Sequence, residues 1–207
     1  AVVFSTLDGH RSIAEAYGTL GVRPYQHLLY DALGAHYLDK ERYRDSAETF
    51  RAYSRQFPES PRAHHFALRV IESYESGGFP DLIVEEKQNY VESFGVEQAY
   101  WHNSSAEVQG VIGQRLQQFI PELARYYHAL AQQAEADKRA DPTLYQRASG
   151  YYRLYVDSFP AADDTPDMTF MLAESAVAAG DFNAAIAAYD RVAYHYSNHP
   201  RAADAAY

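Results

Sequence analysis

Aromatic side chains recur in this sequence at internal steps of 7, 3 and 4 residues, and that rhythm admits few folds. It runs through Tyr43, Phe50, Tyr53 and Phe57, closed by Pro58, and again through Tyr145, Tyr152, Tyr155 and Phe159, closed by Pro160. A further copy is Phe182, Tyr189, Val192 and Tyr196, with its proline delayed to Pro200. A weaker one is Phe79, Lys87, Tyr90 and Phe94, closed by Gly95, with one extra residue and a charge in an aromatic place. Steps of 7, 3 and 4 align four side chains on one stripe of an α-helix. Ala47, Ala148 and Ala185 with Ile186 share the stripe, so a neighbouring helix can come close while rings fill the groove around it. Phe57 to Phe94 and Phe159 to Tyr196 each span 37 residues, and the 65 between Phe94 and Phe159 are nearly two such strides.

A second helical pattern precedes each stripe. Leu29, Leu33 and Tyr37 lead the first, Phe66, Val70 and Tyr74 the second, Leu123, Tyr127 and Leu130 the third, and Met168, Leu172 and Ala176 the fourth. Asp39-Lys40, Gly77-Gly78, Asp141-Pro142 and Gly180-Asp181 break the partners apart, and Pro or Gly stops each stripe helix. The expected fold is all-α, a solenoid of antiparallel helix hairpins, with repeats at about 26–60, 61–95, 121–160 and 167–200. A leading helix is expected at 8–21, around Ile13, Tyr17 and Leu20, closed by Gly21 and Pro24. An inserted element is expected at 96–120. There Tyr100-Trp101 would form a hydrophobic plug and Ser104 with Glu107 a capping box, before Pro121 kinks or restarts the helix. Because the chain begins at Ala1 and the stretch 201–207 reads as the start of a further repeat, it is taken as one segment of a longer protein.

Composition narrows the function. A hydrophobic fraction of 47% suffices for a core. The net charge of -10, without a local Lys/Arg cluster, disfavours nucleic acid and anionic membrane as partners. The absence of cysteine excludes disulfides, thiolate catalysis and Cys-ligated zinc. No apolar run reaches the roughly 20 residues of a membrane span, so insertion by this segment is not expected.

Leu33-Gly34, Tyr37, Tyr43, Phe50 and Pro58, and again Leu172-Ala173, Gly180-Asp181-Phe182, Ala185-Ile186 and Tyr189, resemble the tetratricopeptide repeat family, whose consensus orders such residues over 34 positions. The 37-residue stride departs from that consensus, and Ser46 stands at a usual Ala. The stops Gln56-Phe-Pro-Glu-Ser-Pro-Arg-Ala63 and Tyr196-Ser-Asn-His-Pro-Arg-Ala202 look like boundaries in bacterial envelope repeats of outer-membrane assembly lipoproteins and the Tol–Pal system. The resemblance implies a right-handed superhelix whose first helices line a concave partner-binding groove. It implies a non-catalytic scaffold for a protein or peptide, without cofactor, in the periplasm or at the outer membrane, with the cytoplasm as the alternative. Carried onto matching positions, the groove comprises Asp31, Ala35 and Leu38, then Leu68, Glu72 and Glu75, then Arg125 and His128, then Phe170, Glu174 and Val177. Such a mixture of acidic and apolar groups suits an extended peptide with basic and hydrophobic side chains.

Other chemistry is weakly signalled. His195 and His199 are four apart, but Ser197-Asn198 and Pro200 break the helix, and no third metal ligand follows. The neighbours His64-His65 point to different helix faces. Glu85-Glu86 and Asp163-Asp164 read as solvated charge rather than as an acid–base pair. No phosphate loop or nucleophile elbow occurs. Of the 19 tyrosines, many fill the core stripe, Tyr37, Tyr43, Tyr53, Tyr145, Tyr152, Tyr155 and Tyr189 among them, while others, including Tyr25, Tyr30, Tyr126 and Tyr151, are expected to be partly exposed. Two rivals remain: a self-assembly module stacking through its terminal helices, and an all-helical glycan-active enzyme with Trp101 as a sugar platform.

Overall fold

The structure, a computed structural model, describes residues 9–11, 13 and 23–206. Among the described residues every regular element is helical, and the chain is all-α, built from consecutive antiparallel hairpins. It divides into two compact units, one up to Ile112 and one from Gly113. The leading helix expected at 8–21 lies almost wholly outside the described residues; of its named positions only Ile13 is described, and it is buried.

Unit 1 holds α1 (Gln26–Asp39), α2 (Tyr43–Gln56), α3 (Ala63–Gly77), α4 (Pro80–Phe94), the short α5 (Ala99–Asn103) and the start of α6 (Ala106–Ala136). Each of α1 to α4 packs on the next. The core collects the stripe and its partners: Tyr30, Leu33, Tyr37, Ala47, Phe50, Tyr53, Phe66, Val70 and Tyr74, with Ile13 among them. Tyr53 stacks on Phe66 with ring centres 4.0 Å apart, and Phe50 tilts against Phe66 at 6.0 Å. Rings buried this fully are worth roughly 2–3 kcal/mol each. Tyr30, expected to be partly exposed, belongs to this core, because its hydroxyl reaches Gln56 Oε1 at 2.6 Å and so keeps a polar partner while the ring is covered.

Two small residues set how closely α1, α2 and α3 approach. A Cβ on Gly34 would stand 2.4 Å from Phe50 Cε1, so glycine there is what admits the ring. Nearby, Ser46 Oγ donates to Gly34 O at 2.9 Å and lies 3.0 Å from Ser73 Oγ, satisfying hydroxyls that are fully buried. At the end of α3, Gly78 closes the helix in the left-handed region, φ 69°.

Unit 2 holds the remainder of α6, then α7 (Pro142–Ser158), α8 (Thr165–Ala178), α9 (Phe182–Asp190), a π-helical turn (Arg191–His195) and the four-residue α10 (Ala202–Ala205). Here α7 packs on α8 and α8 on α9. Asp141 caps α7 by accepting from Thr143 N at 2.9 Å, and Asp181 caps α9 by accepting from Ala184 N at 3.1 Å.

Residues 96–138 differ from expectation in two ways. Residues 106–136 form a single helix through Pro121, with no restart, so the stretch set apart as an insertion and the one assigned to the third repeat's first helix are continuous. Ser104 is not the cap. Its hydroxyl turns back to Tyr100 O at 2.7 Å, closing α5, while Ser105 Oγ accepts from Val108 N at 3.4 Å at the start of α6. Tyr100 fills the expected plug position. Its ring meets Phe94 at 4.8 Å and its hydroxyl donates to Ser60 O at 2.8 Å.

Candidate functional site

In unit 1 the candidate groove residues fall on α1 and α3, the first helices of two successive hairpins. Asp31 and Glu72 are brought together by a residue that sequence reasoning did not select, Arg69. Its Nη1 lies 2.9 Å from Asp31 Oδ1, its Nε 3.2 Å from Glu72 Oε2, and its guanidinium 4.5 Å above the Phe50 ring. A cation 38 residues beyond Asp31, and three residues ahead of Glu72 on the same helix, is the sequence signal that identifies it. Glu75 is held aside by Lys87 of α4 at 3.5 Å. Ala35 and Leu38 are half-buried and Glu72 and Glu75 exposed, whereas Leu68 is buried and offers little surface to a partner.

In unit 2, Arg125, Glu174 and Val177 are exposed, but two of the candidates lie inside. His128 is buried between the rings of Tyr145 and Tyr152, with Nδ1 unpartnered; burial lowers its pKa, partly offset by the carboxylate of Glu174. Phe170 is buried beneath the segment that follows the hairpin: the His199 ring stacks on it at 6.2 Å and the Arg201 guanidinium lies 4.0 Å above it. Glu174 accepts a hydrogen bond from the Tyr189 hydroxyl, which burial and that carboxylate raise to about 12.

Two clefts of unit 1 lie elsewhere. A cleft of about 980 Å³ is bordered by Arg23, Gln26, Phe57, Arg62, His64 and Val111. A second, of about 680 Å³, is bordered by Arg51, Ala67, Val70, Tyr74, Glu86 and Tyr90. The acidic strip of α1 and α3 borders neither.

The paired carboxylates are separated by their partners. Glu86 is bound by Arg51 at 2.7 Å while Glu85 faces solvent, and Asp164 accepts from the Tyr155 hydroxyl while Asp163 is exposed. His199 Nε2 sits 2.8 Å from Asp167 Oδ1, and His195 lies on the π-helical turn. Among the described residues no three His, Asp or Glu side chains converge to hold a metal, and no helix is long and apolar enough to cross a membrane.

These features define a class: an all-α chain of stacked helix hairpins with an acidic first-helix surface. No family model matches the sequence, and no curated protein matches it. Similar solved structures include a putative kinesin light chain from Podosopora anserina, described as having nearly identical TPR-like repeats, and a single-substitution variant of the same protein. Each is 16% identical with a TM-score of 0.41; the alignments cover 88% of this chain and 82% of the variant or 83% of its parent. The fold stands on the hairpins themselves.

Proposed function

We propose that this chain is a non-catalytic scaffold that holds a protein or peptide along its first-helix surfaces. The observation that carries this reading is the arrangement around Arg69. Asp31 and Glu72 place two carboxylates beside one guanidinium, with Glu75 held next to them by Lys87 and half-buried Ala35 and Leu38 alongside. The surplus negative charge and the apolar floor suit an extended segment that alternates Lys or Arg with Leu or Val. The resemblance of the helix boundaries to bacterial envelope repeats supports a periplasmic or outer-membrane-associated site of action; a cytoplasmic scaffold is the alternative.

Leu68 and Phe170 are poor probes of this surface, because truncating buried side chains damages the fold first. Glu72→Lys with Glu75→Lys is the informative change. A fluorescent 12-residue peptide alternating lysine and leucine should bind the chain at low salt and lose at least tenfold in affinity on the double reversal, with the helical circular dichroism unchanged. Equal binding by the two proteins would refute the groove.

A further inference from the structure

In a chain of net charge -10, an arginine without a partner stands out. Between residues 23 and 69, Arg42, Arg51, Arg55 and Arg69 each hold a carboxylate, and Arg44 lies over the Phe79 ring. Among the described residues the side chains of Arg23 and Arg62 hold neither, and both border the cleft of about 980 Å³ in unit 1.

Side-chain acceptors on that border are largely taken. Gln26 Oε1 accepts from Arg23 N at 3.1 Å and Gln56 Oε1 from the Tyr30 hydroxyl at 2.6 Å. Ser60 Oγ accepts from Arg62 N at 3.2 Å, and Ser60 O from the Tyr100 hydroxyl at 2.8 Å. Donors are what remain: two guanidinium forks and the amide N–H groups of Gln56. To these the fifteen-residue α3 adds its N-terminus, which no side chain caps. His64, in the first turn of α3, borders the same cleft and is only 8% exposed, yet its Nδ1 has no partner. A buried ring nitrogen of this kind calls for a hydrogen bond, and as Nδ1–H it donates one.

The border is not purely cationic. Glu59 and Glu107 lie on it too, both exposed and neither paired with Arg23 or Arg62, and His27 is held by Pro24 O at 2.9 Å. The two carboxylates offset the two guanidinium groups in formal charge, so the cleft has no long-range pull on a polyanion. It rewards a single anionic group in contact, where bidentate bonds form. Phe57, Val108 and Val111 place apolar surface beside that point.

We propose that this cleft holds an acidic peptide segment, one aspartate or glutamate side chain bridging Arg23 and Arg62 with apolar neighbours against Phe57 and Val111. A peptide fits better than a small acid. Arg23, Gln56, Arg62 and Val111 are themselves exposed, so a small carboxylate would stay largely in water, whereas a chain covers the rim. Glu59 and Glu107 disfavour a dianionic phosphate. The charge selected here is opposite to the one that suits the strip of α1 and α3, so either site can fail without the other.

The test is an NMR titration of the 15N-labelled 207-residue chain with acetyl-Ala-Leu-Asp-Leu-Ala-amide at low salt. The amide signals of Arg62, His64 and Val111 and the ring nitrogens of His64 should shift saturably, with a dissociation constant on the order of 1 mM. Asparagine in place of the peptide's aspartate should weaken binding at least tenfold. Arg23→Gln with Arg62→Gln should do the same and leave distant signals in place, because neither side chain is bonded within the fold. Glu59→Gln with Glu107→Gln should tighten binding roughly threefold. Equal binding of the aspartate and asparagine peptides, or equal binding by the arginine double variant, overturns the proposal. So does a phosphoserine peptide that binds ten times more tightly than the aspartate one, since the ligand would then be a phosphate. A response confined to Asp31 and Glu72 overturns it as well, since the peptide would then lie on the acidic strip.

Discussion

In unit 1, neighbouring helices are joined across their surfaces by guanidinium and ammonium pairs: Arg69 with Asp31, Arg51 with Glu86, Lys87 with Glu75. In unit 2, two of the polar joints are tyrosine hydroxyls on carboxylates, Tyr155 with Asp164 and Tyr189 with Glu174. The ring positions are the same and the polar partners differ. A stripe aromatic supplies burial in either form, and at Phe50 and Tyr189 the polar joint beside the ring differs. Phe50 has no hydroxyl, and Arg69 lies on its face; Tyr189 has one, and it reaches Glu174 directly.

The two stripes also differ in cover, and this gives the largest expected effect. Phe50→Ala removes a fully buried ring and should cost about 3–5 kcal/mol in urea unfolding. Ile186→Ala, at a stripe position that is mostly solvent-exposed, should change stability by no more than about 0.5 kcal/mol. Similar losses at both positions would mean that α9 is covered as fully as α2.

The same contrast marks what could be read from the sequence. Hairpins α1–α2, α3–α4 and α8–α9 are announced by ring spacing and by the glycines and prolines between them, because period and breaker are both local signals. The continuity of α6 was not legible, since proline lacks an amide hydrogen and normally ends a helix. Yet Ile112, Leu116, Phe119, Ile120, Leu123, Ala124 and Tyr127 are all buried at helical spacing on both sides of Pro121, so one apolar stripe holds the helix across it. The serine cap was displaced by one residue, because Ser104 and Ser105 offer the same hydroxyl and only the structure shows which faces α6. Among the groove candidates, family positions indicate which helix face a residue occupies but not what a later segment lays over it. That is how Phe170 came to be buried by Arg201 and His199.

A pH experiment sharpens the comparison at intermediate size. Each unit buries one histidine with Nδ1 unpartnered, His64 in unit 1 and His128 in unit 2. Burial, assisted by the neighbouring His65, lowers His64 to about 4. His128 is lowered in the same direction, but Glu174 opposes the shift. Above the unfolded value near 6.5 both states are neutral and the histidine has no effect on stability. As pH falls from about 6.5 towards 4 the unfolded chain takes up the proton and the folded one does not, so stability is lost across that window and levels off below it. For His64 the loss should be about 2 kcal/mol after allowance for solvent screening. Urea midpoints measured from pH 7.5 to 4 should therefore fall less steeply in His64→Phe, and His128→Phe should flatten them less. An equal flattening would show that Glu174 does not discriminate the two sites.

The smallest expected difference tests the polar joints themselves. Arg51 holds Glu48 at 2.7 Å, Glu86 at 2.7 Å and the Tyr74 hydroxyl at 3.0 Å, and the side chain of Glu86 is only 11% exposed. Arg51→Met keeps most of the aliphatic stem but leaves a carboxylate unpaired where water reaches it poorly, which should cost about 1–2 kcal/mol. Adding Glu86→Gln should restore part of that loss, and the coupling in the double-mutant cycle should survive 0.5 M salt because the pair is partly shielded. Tyr189→Phe deletes a bond whose acceptor is exposed and rehydrates freely, so it should cost about 0.5 kcal/mol or less. Should the two substitutions prove equal, the cation would be no better an anchor than the hydroxyl, and the units would differ in residue identity without differing in how firmly consecutive helices are held.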